Sequence, residues 1–501
     1  MDIQNARSNV LAKARIITGI SFVLGLLFDY FFYDKIPGLS FPCYVILVIA
    51  GLFILANFLK KQINKEAYLL LVLLIFFSTM IFVRSSDLLT FLNVIASLFL
   101  LLVITEISFG KKMKDFLIED YLKILLLPFK FIHTSFQTLS NLFTLREAKD
   151  DQKVFSQIVK GVLMAIPILF VFLLLFSSAD LIFQKYVSDL ISIDNELEMI
   201  FRFILILIVT IVFVGAYAYS FREKEGQITA PQKSKNHTVG DIEISIILGS
   251  VNVLFFIFIL IQLAYLFGGE SNISVQGFTY AEYARRGFFE LIAVAVISLF
   301  LLLATEKYVI KKETQHLLGF KILSTALIIQ VILIMASAFT RLSLYEEAYG
   351  FTTLRLYSHT FIILLAIIFC LLLYKIHKDK RENTFAFRVF LSLALFLAVM
   401  NFLNPDAFIA RRNIERFAST GKLDIYYLSR LSDDAIPDII KGLNISDEDL
   451  RRRFASELYW RMKDSDSRNF SPWQSLNISH LRANKILHSK IHELEPYQDY
   501  Q

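Results

Sequence analysis

Apolar runs of about 17 residues or more recur along most of the chain, separated by short polar connections. Each run is long enough to cross about 30 Å of hydrocarbon as a helix. Their placement predicts eleven spans, at 16–33, 43–59, 67–83, 88–104, 160–178, 199–219, 242–267, 288–305, 319–338, 356–374 and 387–403. The short alternating segments of a membrane β-barrel are absent from the sequence. Past Phe402 the pattern changes. Residues 405–501 are polar, and Ser446–Trp460 joins a capping serine to apolar positions three to four apart, which predicts helix. Asp433–Pro437 reads as a turn into a short helix with proline at its start. The predicted fold class is all-α: a polytopic helical membrane protein with a small helical C-terminal domain outside the bilayer.

The connections divide the chain. Residues 1–104 form a first four-helix group and 105–158 a long loop. Residues 159–220 hold two further helices, 221–240 a linker, 241–404 a five-helix group, and 405–501 the tail. Within the long loop, Phe116, Leu117, Tyr121, Leu122, Leu125, Leu126 and Phe129 recur at roughly helical spacing among Lys111, Lys112, Lys114, Lys123 and Lys130. That pattern predicts a basic amphipathic helix on an anionic leaflet, kinked or ended by Pro128. The linker is polar and rich in helix breakers, as a hinge between two helical groups would be.

Composition agrees with a membrane class. Hydrophobic residues make up 56% and charged ones only 19%, with mean hydropathy +0.57, where soluble domains carry about a quarter charged. The net charge of +6 is unevenly spread. With the N-terminus inside, the cytoplasmic segments hold about 28 of the 51 lysines and arginines, the opposite loops about 8 and the tail about 15. The expected topology is N-terminus cytoplasmic and C-terminus extracytoplasmic. The first run contains Asp29 and lacks a small-residue cleavage site, so it reads as an uncleaved span. Cys43 and Cys370 lie in apolar runs and read as small buried hydrophobes, with no disulfide framework or thiolate site.

This topology sorts the polar residues. The outward loops carry two lysines, Lys35 and Lys185, but six arginines: Arg84, Arg202, Arg285, Arg286, Arg341 and Arg355. Arginine's planar fork suits carboxylates and phosphates better than lysine does. Three outward segments share one style. In Tyr280–Leu291, Glu282, Arg286 and Glu290 are one helical turn apart, beside Arg285, and lead straight into an apolar span. In Arg341–Arg355, continuing to His359, arginines flank Tyr345, Glu346, Glu347 and Tyr349. In Asn404–Arg416, Asn404, Asp406, Arg411 and Asn413 follow the last span. Ionisable groups at the edge of a span are costly and suggest a functional site. The competing reading is an interfacial belt of snorkelling arginines and aromatic rings. The binding-site candidates are Glu282, Arg285, Arg286, Glu290, Arg341, Tyr345, Arg355, His359, Asn404, Asp406, Arg411 and Asn413. Glu290 is expected to turn inward towards Arg341 or Arg355.

No metal, phosphate-loop, nucleophile-elbow or dinucleotide signature appears, so no catalytic residue, metal site or cofactor is assigned. Asn252, Gln262, Gln330 and Asn401 read as interhelical hydrogen-bonding amides. The three outward segments, with Asp424, Tyr427 and the early Pro37–Phe41, resemble the signature segments of an uncharacterised bacterial membrane family, domain of unknown function 4173, related to the 4153 group. The resemblance implies a bacterial multi-pass protein of the cytoplasmic (inner) membrane and carries no activity. The bilayer is the expected partner, together with an anionic lipid or small anionic ligand, and not a nucleic acid. The leading expectation is a binding or transport-like protein, leaning away from an enzyme. The alternatives are a membrane-embedded transferase with a lipid-linked donor, with Asp29 and Asp34 as its candidate carboxylates, and a sensor or assembly subunit.

Overall fold

The computed structural model describes residues 2–109, 112–144, 195–222, 241–266, 288–308, 314–378, 381–468 and 472–498, with isolated positions between 161 and 186. All regular structure among them is helical. Ten of the described helices are long and apolar enough to cross a membrane. They match ten of the eleven predicted spans. The remaining one, 160–178, lies almost wholly outside the described residues, as does the linker 221–240 apart from its first two positions. The chain divides into two compact units, one of Met1–Glu225 with Asp466–Arg482, the other of Gly226–Ser465 with Ala483–Gln501.

Unit 1 is built on α1 (Asp2–Phe32), α2 (Ser40–Phe58), α3 (Lys65–Val83) and α4 (Asp87–Ile107), joined by connections too short for anything but antiparallel neighbours. The predicted amphipathic stretch folds as two helices, α5 (Ile118–Ile124) and α6 (Leu127–Thr144), with Pro128 in the first turn of α6, where its missing N–H costs nothing. The α6 helix packs against α1 and α7 (Asn195–Ser220). Phe131 is buried there, and Ser135 donates to the Ile211 carbonyl. At the far end of α1, Asp29 is buried and accepts from Arg202 of α7 at 2.6 Å. The fork of Arg202 engages both carboxylate oxygens, the geometry that offsets the loss of hydration.

The tail segment Trp473–Ser479 belongs to unit 1 and caps its helix ends. The Leu39 N–H donates to the Leu476 carbonyl at 2.9 Å. Only glycine fits at position 38, because a Cβ would sit 2.3 Å from that same carbonyl oxygen. Asn477 donates to the carbonyls of Ile81 and Arg84 at 3.1 and 2.8 Å, and Ser479 to Val83 at 2.8 Å, satisfying acceptors that the end of α3 leaves open. Trp473 packs on Phe31, and Gln474 donates to the Tyr30 carbonyl.

Unit 2 contains α8 (Asp241–Leu266), α9 (Phe288–Tyr308), α10 (Thr314–Tyr349), α11 (Thr353–Lys378) and α12 (Glu382–Leu403), followed by α13 (Pro405–Thr420) and α14 (Glu448–Arg468). Asn252 of α8 donates to the Leu323 carbonyl and Gln330 of α10 to the Asn252 carbonyl, so both amides bond across the helix pair. Asn401 donates to Leu397 within its own helix, as Asn252 also does to Leu248. At the lysine-bearing end of α11, buried Lys375 reaches Glu306 of α9 at 2.7 Å and lies over the Phe385 ring. Cys43 is half-buried and Cys370 exposed, so Cys370 is not the buried hydrophobe expected. An apolar thiol on a spanning helix can face lipid without the cost it would have in water.

At 36 residues, α10 is about 54 Å long, well beyond the hydrocarbon thickness. Its last turns therefore continue past the apolar layer as helix, where the sequence pattern placed a loop. The tail core of Ile409, Leu428, Ile436, Phe454, Leu458 and Leu487 includes Leu356 of α11 and packs against Phe351 and Leu403. It is continuous with the ends of the spanning helices because the tail alone has too few apolar residues to close a core.

Two outcomes are expected. Residues 405–501 expressed alone show no cooperative transition by circular dichroism, since Leu356, Phe351 and the α3 carbonyls are missing. In the full chain, Asn477→Ala strands two carbonyls and lowers stability by about 1–3 kcal/mol, read as a fall in melting temperature in detergent.

Candidate ligand-binding groove

The site begins at the turn between α10 and α11. Gly350 ends α10 at φ +82°, and an added Cβ there would meet Asn413 Oδ1 at 2.6 Å. The position therefore needs glycine on conformational and steric grounds. Asn413 of α13 reads the adjoining backbone like a paired strand, accepting from Phe351 N–H at 2.7 Å and donating to its carbonyl at 2.8 Å. Arg416, one turn on, donates to the Glu347 and Ala348 carbonyls at 2.8 and 2.6 Å. Arg355 donates to the Gly350 carbonyl and lies over the Tyr345 ring at 4.1 Å. The Tyr427 hydroxyl accepts from Thr353 N–H at 2.7 Å.

The α13 helix is placed by a sharp corner. Asn404 adopts φ +53°, a left-handed conformation asparagine tolerates, and Pro405 starts the next helix with φ already set. Buried Asp406 accepts from Ser432 N–H and ties this corner to the tail.

Behind the turn, within the helices, Glu346 and His359 are both buried and 3.1 Å apart. His359 Nδ1 faces the carboxylate, while Nε2 lies 3.2 Å from the Phe339 carbonyl and 3.3 Å from Ser343 Oγ. Every polar atom of the imidazole has a partner, so this pair bonds α10 to α11.

In front of the turn a groove of about 1050 Å³ opens between the end of α10 and the tail. Its cations are Arg416, Lys422 and Arg453, its carboxylates Asp424 and Glu457, and its rings Tyr349, Tyr426 and Trp460. The three rings are more than half exposed, at 57%, 58% and 55%. Asp424 is spent on the Tyr427 N–H as a helix cap, and Arg453 pairs with Asp449 at 3.2 Å on an exposed surface, where such a pair is weak. At the start of α14, Arg452 and Arg451 hold the Glu448 carboxyl below its ordinary range, keeping it ionised and engaged.

The structure distributes the sequence candidates unevenly. Tyr345, Arg355, His359 and Asn413 meet around the α10–α11 turn, and Asn404 and Asp406 form the corner that presents α13. Arg341 lies near the end of α10, and Arg411 is exposed beside the Phe408 ring. Glu282, Arg285 and Arg286 lie outside the described residues. Glu290 is exposed in the first turn of α9, not buried as expected. A carboxylate there gains from the helix dipole without needing a buried arginine. Asp29 is committed to Arg202, and Asp34 is exposed at φ +52° just past α1. Among the described residues none of the binding candidates lines the groove: Tyr349 and Arg416 lie within the segments singled out, and Lys422, Arg453, Glu457, Tyr426 and Trp460 were missed. Trp460 was legible as part of a predicted helix, but no pattern joins it to Tyr349, 111 positions earlier. Among the described residues no group of three potential metal ligands is found.

A family model described as Domain of unknown function (DUF4153) matches residues 71–442. The match is to the 4153 group, not under the 4173 label that the three segments suggested. No curated protein and no solved structure matches the chain.

If the turn is clamped in this way, Gly350→Ala costs about 1–3 kcal/mol in backbone strain alone, while Arg411→Ala stays within about 0.5 kcal/mol. Thermal unfolding of the two variants in one detergent measures the contrast.

Proposed function

This chain belongs to the DUF4153 family, and we propose that it is a multi-pass protein of a bacterial cytoplasmic membrane that binds an anionic amphiphile in the groove beside the α10–α11 turn. The lysine and arginine bias of the sequence supports an N-terminus in the cytoplasm and a tail and groove on the opposite side. One observation carries the binding reading: three cations and three exposed aromatic rings line one groove at the end of a spanning helix. Tyrosine and tryptophan prefer the depth at which lipid headgroups lie. Arg416, Lys422 and Arg453 supply charge for a phosphate or carboxylate, and the rings supply apolar area for the first carbons behind it. A buried, committed Asp29 supports a structural role for that carboxylate and gives no support to a transferase.

Trp460 is one of only two tryptophans, so it serves as its own probe. In a Trp473→Phe background, short-chain phosphatidylglycerol is expected to shift Trp460 emission, phosphatidylcholine to leave it unchanged, and glycerol 3-phosphate to act only weakly. Lys422→Gln with Arg453→Gln weakens the phosphatidylglycerol response at least about fivefold per charge, the effect of one basic residue near an anionic surface. Equal responses to both phospholipids would remove the charge reading. A phosphatase fused after Gln501 should be active when exported, and activity of a cytoplasmic reporter there would overturn the topology.

A further inference from the structure

A second site is visible in unit 1, far from the groove in sequence and built on different chemistry. A cavity of about 320 Å³ is lined by Val48 and Leu52 of α2, Leu101 and Thr105 of α4, Phe131 of α6 and Tyr217 of α7. Its few polar groups are already used. The Tyr217 hydroxyl donates to the Val48 carbonyl at 2.7 Å, Thr105 to Leu101 at 2.8 Å and Ser220 to Ala216 at 3.0 Å. Water needs two or more free polar partners to occupy such a space, so the walls favour an apolar occupant. Along α7 the lining runs from Val212 to Ser220, about 12 Å of helix rise, close to the depth of one leaflet's hydrocarbon. Val212 is exposed, so the cavity opens sideways on a face the hydropathy assigns to lipid.

The Ser220 end of this cavity adjoins a cationic rim. Lys13 and Lys61 both donate to the Phe221 carbonyl, at 3.1 and 3.3 Å, and the exposed Arg222 follows. An ammonium group has three N–H donors, so Lys61 can hold this carbonyl and still meet a phosphate oxygen. Among the described residues near this end, Glu106 accepts from the Tyr219 hydroxyl at 2.8 Å and Glu66 from Met113 N–H at 2.6 Å. Two lysines converging on one carbonyl, with Arg222 beside it, place cations where a one-leaflet apolar slot ends.

We propose that unit 1 holds one anionic phospholipid, with an acyl chain in this cavity and its phosphate on the Lys13–Lys61–Arg222 rim. Basic pockets between spanning helices favour anionic headgroups, and the slot adds a requirement for a chain. The bound lipid fills space between α2, α4, α6 and α7 and so fastens α6 to the bundle.

The test uses the full chain carrying Lys422→Gln and Arg453→Gln, so that the groove of unit 2 does not contribute. Native mass spectrometry after delipidation measures retention of added phosphatidylglycerol against phosphatidylcholine of equal chain length, with glycerol 3-phosphate as the headgroup alone. One phosphatidylglycerol is expected to remain, with phosphatidylcholine weaker and glycerol 3-phosphate not retained. Lys61→Gln weakens phosphatidylglycerol about fivefold and removes the preference. Val212→Phe, at the open side where a larger ring is accommodated, lowers retention of both phospholipids, and Lys114→Gln, an exposed lysine at the same end, changes neither. Equal retention of the two phospholipids, or retention indifferent to both Lys61→Gln and Val212→Phe, overturns the site.

Discussion

A spanning helix ends with four carbonyls that have no partner inside it, and an unsatisfied carbonyl beside hydrocarbon is expensive. That constraint organises both units. Arg416 takes the Glu347 and Ala348 carbonyls at the end of α10, and Asn477 and Ser479 take those of Ile81, Val83 and Arg84 at the end of α3. Lys13 and Lys61 share the carbonyl of Phe221 just past α7. In each case the donor comes from a segment distant in sequence. Of the polar residues that look like a site in the linear chain, Arg355 and Asn413 also donate to carbonyls at the α10–α11 turn, those of Gly350 and Phe351.

This gives the tail a physical reason to exist where it does. Its core borrows Leu356, and its segment 473–479 supplies caps to α3 and packs on the end of α1. Neither part needs to be stable alone. A polar tail that satisfies membrane helix ends also creates a rim of cations and rings beside them, because arginine, asparagine and tyrosine do both jobs. The groove at Tyr349, Lys422 and Trp460 is such a by-product surface, with charge left over after the caps are made. In unit 1 the rim at Phe221 arises in the same way, next to a slot whose hydroxyls are all internally bonded.

The ion pairs between helices follow the same logic. Asp29 with Arg202 and Glu306 with Lys375 each join two helices, and each charge is matched by its partner. Removing Arg202 or Glu306 leaves the buried Asp29 or Lys375 without its partner, so these changes are costly. Glu346 with His359 is the more finely divided case, since three acceptors or donors surround one imidazole.

The spans were legible because one variable, the length of apolar runs, decides whether a helix can cross hydrocarbon, and it needs no tertiary information. Ten of the eleven predicted spans coincide with described helices to within a few residues at most ends. The main departure, α10 running on to Tyr349, arose because helical propensity continues past the point where hydropathy falls. Motif style drew attention to Arg355, His359, Asn404 and Asn413, which lie at or behind the α10–α11 turn and at the corner before α13. Their pairing was not readable, because Asn413 meets Phe351 across 62 positions and Asn477 meets Ile81 across 396. The sequence by itself determined which segments enter the bilayer and which residues must find partners. Only the tertiary structure decided who those partners are, since that depends on which helix ends the fold brings within 3 Å of each side chain.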